Sequence, residues 1–219
     1  MKVKMITRKV AVPIFQGLSQ RKLNKQISNC SNEVKLEIGA GINRRPGWFC
    51  TDICFRSEFF LDMKKKWVLK KKIHYIYSEM SIASLNKGEL EIFLNNCFEN
   101  LVEGGVLRIC TNNIENYARI YCGLINIPIL DVYNRLNRII PNSCNTPVDI
   151  IYYPIAAHSP GNLSYYYDFE SIKTIVTKLG FSKIYKTETS TSDYPELRNL
   201  EKRNESIDKL LNLVIEVVK

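Results

Sequence analysis

The sequence predicts an α/β protein in which a largely parallel sheet is covered by helices. Short runs of β-forming, apolar residues alternate with segments whose apolar residues recur at helical spacing. Strands that are apolar on both faces are typical of parallel sheets. The chain also ends on two consecutive strand patterns. We therefore expect an antiparallel hairpin at one edge of the sheet.

The first part of the chain contains a basic arm and four predicted strands. Residues 1–32 form an arm or a first helix, with Leu18, Leu23 and Ile27 at helical spacing. The strands follow as EVKLEIG (33–39), WFCTDIC (48–54), FFLDM (59–63) and IHYIYSE (73–79). The lysine-rich segment 64–72 is expected to be a short helix or a loop. Residues 33–219 form the main domain.

The second part of the chain alternates helices and strands. A helix is predicted from Lys87 and is expected to stop at EGG (103–105), where glycine supplies a left-handed cap. A strand (106–111) and a helix (113–125) follow. Residues 126–166 contain five prolines and are expected to be irregular.

The last third begins with the clearest helix of the chain. DFESIKTIVTKLGF has Asp168 as its N-cap and Gly180 as its end. KIYKTETS (183–190) and LNLVIEVVK (211–219) are the last two strands.

Length and composition limit the classes of protein to which the chain can belong. The chain has 219 residues, of which 45% are hydrophobic, and this length suits one domain with a sizeable core. No apolar run approaches the roughly 18 residues that a membrane span needs. The basic start lacks the long apolar stretch of a signal peptide, so we expect a cytoplasmic protein.

Cysteine usage argues against a disulfide framework and against zinc. The seven cysteines are scattered, form no CxxC pair, and are accompanied by two histidines, His74 and His158. A closed zinc site would be poorly supplied with ligands. We therefore expect no metal, and small buried thiols at most of these positions.

The net charge of +9 is uneven. Seven cations and no acid precede Glu33, and KKKWVLKKK (64–72) adds six lysines around Trp67. Such patches attract nucleic acid or anionic lipid. A solvated lysine face is the simpler interpretation, because no nucleic-acid motif accompanies the charge.

The stretch KLEIGAGINRRPGWFCTDIC (35–54) holds the most informative pattern. Gly39 and Gly41 follow an apolar strand, and Asp52 ends the next strand. Glycine allows a ligand to approach the backbone closely, and ligands of open α/β sheets bind at the carboxyl ends of strands. A surface turn that needed glycine is the alternative.

Several stretches together resemble a known family. LEIGAGINRRPGWFCTDI, YIYSEMSIASL, LVEGGVLRICTNNIENYARIY and AAHSPGNLSYYYDFESIKTIVTKLGF, in this order, are similar to motifs of class I S-adenosylmethionine (SAM)-dependent methyltransferases, and ELRNLEKR is reminiscent of a further subgroup motif. More narrowly, the chain resembles small bacterial methyltransferase-like proteins associated with polysaccharide and glycosyl-transfer genes. The resemblance implies a Rossmann-like fold whose seven-stranded, mostly parallel sheet ends in an antiparallel hairpin.

The resemblance also implies SAM as cofactor and assigns residues to it. The turn of Gly39, Ala40 and Gly41 would face the cofactor, and Glu37 would bind the ammonium of its methionine part, directly or through water. Asp52 would accept both ribose hydroxyls. Asp62 would meet the adenine amino group. Ser78 and Glu79, at the end of the fourth strand, would lie beneath the reactive methyl group.

The chain departs from the family pattern at two places, and the second concerns catalysis more than cofactor binding. The third glycine of a GxGxG loop would fall at Asn43. The subgroup often carries SEHVLEHL after the fourth strand, where this chain has SEMSIASL, so Met80, Ala83 and Ser84 replace one acid and two histidines. His158 remains as a candidate base for a hydroxyl acceptor, since its pKa lies near neutrality. It precedes Tyr165–Tyr167, which could shape a pocket or simply pack.

Four functions stay open at this point. The leading one is a SAM-dependent methyltransferase that acts on a small or glycan-linked acceptor, with His158 and Glu79 as catalytic candidates and oxygen as the methylated atom. A SAM-binding or scaffold protein without turnover is the second. An RNA methyltransferase that uses the basic arm is the third, disfavoured because SEMS stands where an NPPY-type motif would be. A nicotinamide dehydrogenase fits the two-glycine loop poorly.

Overall fold

The computed structural model describes residues 2–70, 72–158 and 165–219, with side chains described in 15–70, 72–152 and 165–219. The chain forms a seven-stranded sheet in the order β3-β2-β1-β4-β5-β7-β6. The strands are β1 (Lys35–Ile38), β2 (Phe49–Asp52), β3 (Phe59–Phe60), β4 (Ile73–Glu79), β5 (Leu101–Asn112), β6 (Lys183–Thr187) and β7 (Asn212–Val218).

The strand directions confirm the predicted fold class. Strands β3, β2, β1, β4 and β5 pair in parallel, and β7 pairs antiparallel with both β5 and β6. β7 is therefore inserted between β5 and β6 as the one reversed strand of this sheet. The predicted terminal hairpin is an antiparallel pair whose strands are joined by residues 188–211 rather than by a short turn.

Three helices cover one face of the sheet. They are α1 (Lys2–Ser28), α2 (Lys87–Asn100) and α6 (Phe169–Leu179). Their apolar side chains share a core with the strands; this core includes Ile27, Phe93, Ile172, Leu36, Ile76 and Ile109. Asp168 caps α6 through the backbone N–H of Ser171, and Gly180 ends the helix in the left-handed conformation, as the sequence predicts.

The opposite face is covered by a loop rather than by helices in the first half of the sheet. A second core cluster joins Trp48, Cys50 and Tyr77 to Leu197 and Leu200. The described connections 39–48 and 53–58 contain no helix. The segment that follows β6 therefore provides the cover that crossover helices would otherwise give.

A helical insertion occupies most of the region that was expected to be irregular. α3 (Ile114–Tyr121) is followed by α4 (Ile129–Ile139) and α5 (Pro147–His158), and α7 (Ser206–Leu211) packs on them. The expectation for residues 126–166 was wrong because two of its prolines stand at helix starts, where they are tolerated: Pro128 is the N-cap of α4 and Pro147 is the first residue of α5.

The segment EGG also differs from its prediction. α2 ends at Asn100, and its C-cap Leu101 already begins β5. Gly104 has φ +74°, but it lies inside this long strand and not at a helix cap. The left-handed glycine was anticipated, whereas its role was assigned to the wrong element.

The second half of α1 is attached to the sheet. Leu23 and Ile27 are fully buried, as their spacing predicts, whereas Leu18 is 57% exposed. The backbone N–H of Phe60 donates to Ser19 Oγ, and Asn24 Nδ2 donates to the carbonyl of Val68 at 2.7 Å. Within the described part of the chain, no helix combines the length and apolar character that crossing a bilayer requires.

A buried ion network ties the covering loop to the sheet. The Arg108 guanidinium is fully buried and donates to Glu201 Oε1 at 2.6 Å and to Glu216. Tyr185 donates its hydroxyl to the other oxygen of Glu216 at 2.7 Å. Because a buried charge is costly without partners, this network fixes the position of the loop that carries Glu201.

Candidate functional site

The turn after β1 is held against β2 by its own backbone. Gly39 and Gly41 have φ angles of +77° and +64°, in the left-handed region that favours glycine. The N–H groups of Gly39 and Ala40 both donate to the carbonyl of Thr51, at 2.9 and 3.0 Å. The chain therefore leaves β1 in a tight turn at the carboxyl edge of the sheet.

Gly39 also touches the segment that follows β4. A Cβ atom on Gly39 would lie 1.8 Å from Ser81 Oγ and 2.6 Å from Ser81 Cβ. Ser81 Oγ donates to the carbonyl of Glu79 at 3.0 Å, so it is fixed in this position. Glycine is required here because the ends of β1 and β4 approach each other closely.

Asp52 is anchored by two backbone N–H groups. Its Oδ2 accepts from Gly41 at 2.9 Å, and its Oδ1 accepts from Cys54 at 2.8 Å. A carboxylate has about four acceptor positions, so further hydrogen bonds can be accepted. The half-exposed carboxylate is thus oriented rigidly and still able to bind hydroxyl groups.

Asp62 is placed by the turn that follows β3. Its Oδ1 accepts from the backbone N–H of Lys64 at 2.9 Å. The Lys64 ammonium pairs with Glu89 Oε1 at 3.1 Å. Asp62 therefore has acceptor capacity left, while the positive charge of Lys64 is partly neutralised by Glu89.

These elements enclose a cavity of about 270 Å³. It is lined by Gly39, Asp52, Ile53, Leu61, Asp62, Met63, Lys64, Met80, Ser81 and Ser84. Three of the residues predicted to bind cofactor, Gly39, Asp52 and Asp62, are brought together there. The cavity combines an apolar lining with two carboxylates.

Glu37 does not line this cavity. Its neighbours Leu36 and Ile38 belong to the core on the helical face, whereas the buried Glu37 carboxylate accepts from Arg45 Nε at 2.9 Å. Burial by itself would lower the pKa of Arg45, but the hydrogen bond and charge of Glu37 raise it. Glu37 is outside the lining residues, and its role toward a cofactor stays a prediction.

Ala40 and Ser78 are buried beside the site rather than in its lining. Ala40 packs in the cluster of Trp48 and Tyr77. Ser78 is fully buried on β4, and its Oγ has no hydrogen-bond partner among the described residues. Ser78 pairs with Ile38 of the neighbouring strand β1, and Ile38 directly precedes the glycine turn.

Glu79 ends β4 and holds the covering loop. Its Oε1 accepts from the backbone N–H groups of Lys202 at 2.9 Å and Arg203 at 3.4 Å. Burial raises the pKa of Glu79 and outweighs these N–H groups, which lower it. The carboxyl group is thus engaged by the loop.

The residue after Glu79 adopts an unusual backbone conformation. Met80 has φ +56°, which is uncommon for a residue with a side chain, and its N–H donates to the carbonyl of Cys110 at 2.7 Å. This turn brings Met80, Ser81 and Ser84 to the cavity. Such strain in a tight turn is typical of functional sites.

His158 lies at the border of the described residues. It is the last residue of α5, its side chain is outside the described part, and residues 159–164 are not described. The tyrosines that follow pack after β4: Tyr167 donates its hydroxyl to the carbonyl of Leu85 at 2.9 Å, and the N–H of Tyr165 donates to the carbonyl of Ala83. Tyr165 and Tyr167 therefore make structural contacts with the segment after β4.

Sequence reasoning missed part of the cavity lining. Ile53, Leu61, Met63 and Ser81 were not singled out, although each follows β2, β3 or β4 within three residues. Their position after strand ends was the available signal, since ligands of open α/β sheets bind at that edge.

The cysteines take no part in the cavity lining. The seven cysteines, all within the described residues, form no disulfide, and burial raises the pKa of Cys50 to about 11. Among the residues the structure describes, no group of three or more His, Cys, Asp and Glu side chains is arranged to hold a metal ion.

Comparison with known proteins gives matches among solved structures alone. No family model and no curated protein matches the chain. A SAM-dependent methyltransferase from Thermotoga maritima is 14% identical, with a TM-score of 0.49, over 99% of this chain and 95% of that one. One from Archaeoglobus fulgidus is 15% identical, with a TM-score of 0.46, over 100% of both chains.

The methyltransferase SibL in its apo form is a longer protein. It is 8% identical, with a TM-score of 0.47, over 93% of this chain, and the chain spans 55% of its length. At these identities and TM-scores, the likeness is one of general fold and carries no information about the ligand or reaction of this chain.

Proposed function

We propose that the protein is a SAM-dependent methyltransferase that binds its cofactor in the cavity of Gly39, Asp52 and Asp62. The observation that carries the proposal is the anchored Asp52 carboxylate beside the glycine turn. Its two oxygens are fixed by the N–H groups of Gly41 and Cys54 and keep acceptor positions free. This arrangement suits the two neighbouring hydroxyls of a ribose.

The rest of the cavity suits an adenine ring. Ile53, Leu61 and Met63 supply apolar surface for a flat heterocycle. Asp62 uses one acceptor position for Lys64 N–H and has others for an amino group. A nucleoside therefore fits the chemistry of the lining.

The charge of the cavity favours a nucleoside without phosphates. Asp52 and Asp62 both line it, and the lysine of the lining, Lys64, is paired with Glu89. Two carboxylates repel a pyrophosphate but attract a cation. This argues for SAM, which carries a sulfonium and an ammonium and no phosphate, over a nicotinamide dinucleotide.

The predicted roles of the remaining cofactor residues belong to this proposal. Gly39, Ala40 and Gly41 would let the methionine part approach the backbone. Glu37 would share its carboxylate between Arg45 and the ammonium, directly or through water. Ser78 would use its buried hydroxyl, which lacks a partner among the described residues, to form a hydrogen bond with the cofactor.

When bound, SAM supplies an activated methyl group, so the chain has to orient the acceptor and handle one proton. Positioning provides most of the rate of such a displacement. Glu79 lies at the end of β4, and its raised pKa brings it closer to the range of a general base. His158 is the second candidate to take the proton from a hydroxyl acceptor.

The acceptor is proposed to be a small or glycan-linked molecule that is methylated at oxygen, in the cytoplasm and in polysaccharide biosynthesis. This part of the proposal rests on the resemblance of the sequence motifs to the bacterial subgroup.

Cofactor binding without turnover is a second candidate function. The residues after β4 that line the cavity, Met80, Ser81 and Ser84, have side chains that do not titrate, and the neighbouring Ala83 is buried. If proton transfer depends on these positions, the chain binds SAM and does not transfer its methyl group.

Calorimetry with a ligand series tests the proposal. SAM and S-adenosylhomocysteine are expected to bind with micromolar affinity, whereas NAD and ATP bind much more weakly because their phosphates meet Asp52 and Asp62. Absence of SAM binding at high micromolar concentration contradicts the proposal. Binding without release of S-adenosylhomocysteine across a panel of hydroxylated acceptors supports the second candidate instead.

A further inference from the structure

Four large apolar side chains are exposed on α1 and on the segment that follows β2. Phe15 is 50%, Leu18 57%, Ile53 59% and Phe55 57% exposed. We call these four residues the Phe15–Phe55 patch. Single exposed apolar residues are ordinary, whereas a cluster of them marks an interaction surface.

Contacts between α1 and the edge of the sheet hold the patch together. The rings of Phe15 and Phe55 meet edge to face with centroids 5.2 Å apart, and Phe55 stacks on Phe60 at 5.4 Å. Leu18 lies one helical turn after Phe15 on α1. Ile53 precedes Phe55 by two residues and also lines the cavity.

The rim of the patch is basic. The Arg44 guanidinium donates to the carbonyl of Arg56 at 3.1 Å, which places it beside Phe55. Arg21 follows Leu18 by three residues on α1, and Arg21, Arg44 and Arg56 are all exposed. Two acids lie between residues 40 and 60: Asp52 is bound to backbone N–H groups, and the half-buried Glu58 accepts from the backbone N–H of Cys50.

Helix α1 extends this basic character. Its backbone runs from Ser28 back to Lys2, and the sequence of residues 2–14 contains four cations and no acid. Apolar side chains ringed by Arg and Lys are the combination that binds the interface of an anionic membrane, where the apolar groups enter the acyl boundary and the cations meet the head groups.

We propose that the Phe15–Phe55 patch binds the surface of an anionic lipid bilayer, in addition to the proposed cofactor function. Single-stranded RNA fits less well, because base stacking needs free aromatic faces. The Phe15 and Phe55 rings already pack edge to face, Phe55 stacks on Phe60, and Leu18 and Ile53 are aliphatic. Aliphatic groups gain from contact with acyl chains.

Vesicle sedimentation of the full chain tests this inference. The vesicles are made of phosphatidylcholine alone or mixed with phosphatidylglycerol. One double variant, Phe15→Ser with Phe55→Ser, removes the apolar centre, and another, Arg21→Gln with Arg56→Gln, removes rim charge. Matched controls lie elsewhere: Leu124→Ser with Leu130→Ser, and Lys178→Gln with Lys183→Gln, which are also exposed.

The wild type is expected to sediment with the anionic vesicles, and less so at high salt. The phenylalanine variant should lose roughly tenfold in partitioning, and the arginine variant about fivefold or more, with both controls unchanged. Thermal unfolding checks that each variant is folded. If the phenylalanine variant misfolds, the arginine pair carries the test, because its side chains are exposed.

Three results overturn the inference. The first is a wild type that stays in the supernatant with anionic vesicles. The second is a set of patch variants that sediment as the wild type does. The third is a protein that does not bind vesicles but binds a labelled single-stranded RNA, with that binding lost in the same variants; the patch would then be an RNA surface. Each result leaves SAM binding to be judged by calorimetry.

Discussion

Gly39 follows β1, Ser81 follows the neighbouring strand β4, and the two residues are so close that a side chain on Gly39 would overlap Ser81. The position of a Cβ on Gly39 lies 1.8 Å from Ser81 Oγ, and Gly39 has φ +77°. Steric exclusion and backbone conformation therefore both demand glycine. The contact couples the turn after β1 to the segment after β4, and both line the same cavity.

We predict that Gly39→Ala is more destabilising than an ordinary substitution of a left-handed glycine. Gly123 is the matched control, since it has φ +69° and no atom within 4 Å of its Cβ position. Gly123→Ala should cost about 1–2 kcal/mol, and Gly39→Ala about 2 kcal/mol more because of the overlap with Ser81. Urea unfolding measures both free energies.

A second substitution separates the two causes. Ser81→Gly in the Gly39→Ala background should recover the part of the loss that comes from the overlap and leave the conformational part. Equal costs for Gly39→Ala and Gly123→Ala would show that the contact with Ser81 relaxes freely.

The Arg108 network should carry a large share of stability. Glu201→Ala leaves a fully buried guanidinium with one carboxylate fewer and is expected to cost about 3–5 kcal/mol. Glu99 pairs with Lys66 at 3.7 Å on the surface, and Glu99→Ala should change stability by less than about 1 kcal/mol. Denaturant unfolding compares the two; similar small losses would mean that water reaches Arg108.

The cap of α6 should make stability depend on pH. Hydrogen bonds from the hydroxyl and N–H of Ser171 lower the pKa of Asp168 in the folded protein. The stabilisation is therefore present above the unfolded pKa of about 3.9 and is lost as the pH falls through the lower folded value. Asp168→Ala should cost about 1 kcal/mol at neutral pH and less below about pH 4.

A neutral cap provides the control for this effect. Asp168→Ser keeps an acceptor for the N–H of Ser171 and adds no carboxylate, so its stability relative to Asp168→Ala should not vary with pH. Chemical unfolding at neutral and acidic pH gives the comparison. A constant difference between wild type and Asp168→Ala at all pH values would contradict the predicted linkage.

Thiol reactivity should separate the cysteines by burial. Cys122 is exposed, whereas Cys97 and Cys110 are buried and their pKa values are raised well above the ordinary value. A disulfide reagent at mildly alkaline pH is expected to modify Cys122 rapidly and the buried thiols after unfolding. Cys122→Ser should remove the fastest phase and leave a slower one from the half-buried Cys30 and Cys54. A fastest phase that persists in this variant would contradict the predicted order.

Local patterns were sufficient to predict most of the fold. The seven strands, the cap at Asp168 and the glycine end of α6 follow from neighbouring residues. Two predictions were wrong because proline and glycine each have more than one structural role. Pro147 begins a helix instead of preventing one, and the left-handed Gly104 lies within a strand instead of at a helix cap. Both depend on tertiary context that no local pattern contains.

Part of the candidate site could be predicted from the sequence, and part could not. Gly39, Asp52 and Asp62 meet at the cavity, because strand ends converge at one edge of a parallel sheet. The pairing of Glu37 with Arg45 and the closeness of Gly39 to Ser81 were not predicted. Those relationships depend on which face a side chain occupies and on the separation of two loops, and sequence spacing specifies neither.

Titration of S-adenosylhomocysteine into wild type and Asp52→Asn is the most direct measurement of the proposed cofactor site. The substitution leaves one carbonyl oxygen where two carboxylate oxygens are anchored, so affinity should fall roughly tenfold to a hundredfold. Asp193→Asn, an exposed acid outside the cavity lining, should bind as wild type does. Unfolding of the unliganded variants separates loss of binding from loss of fold. Micromolar binding by the wild type that collapses in Asp52→Asn alone is the predicted result, and equal affinity in all three proteins would contradict a cofactor held by Asp52.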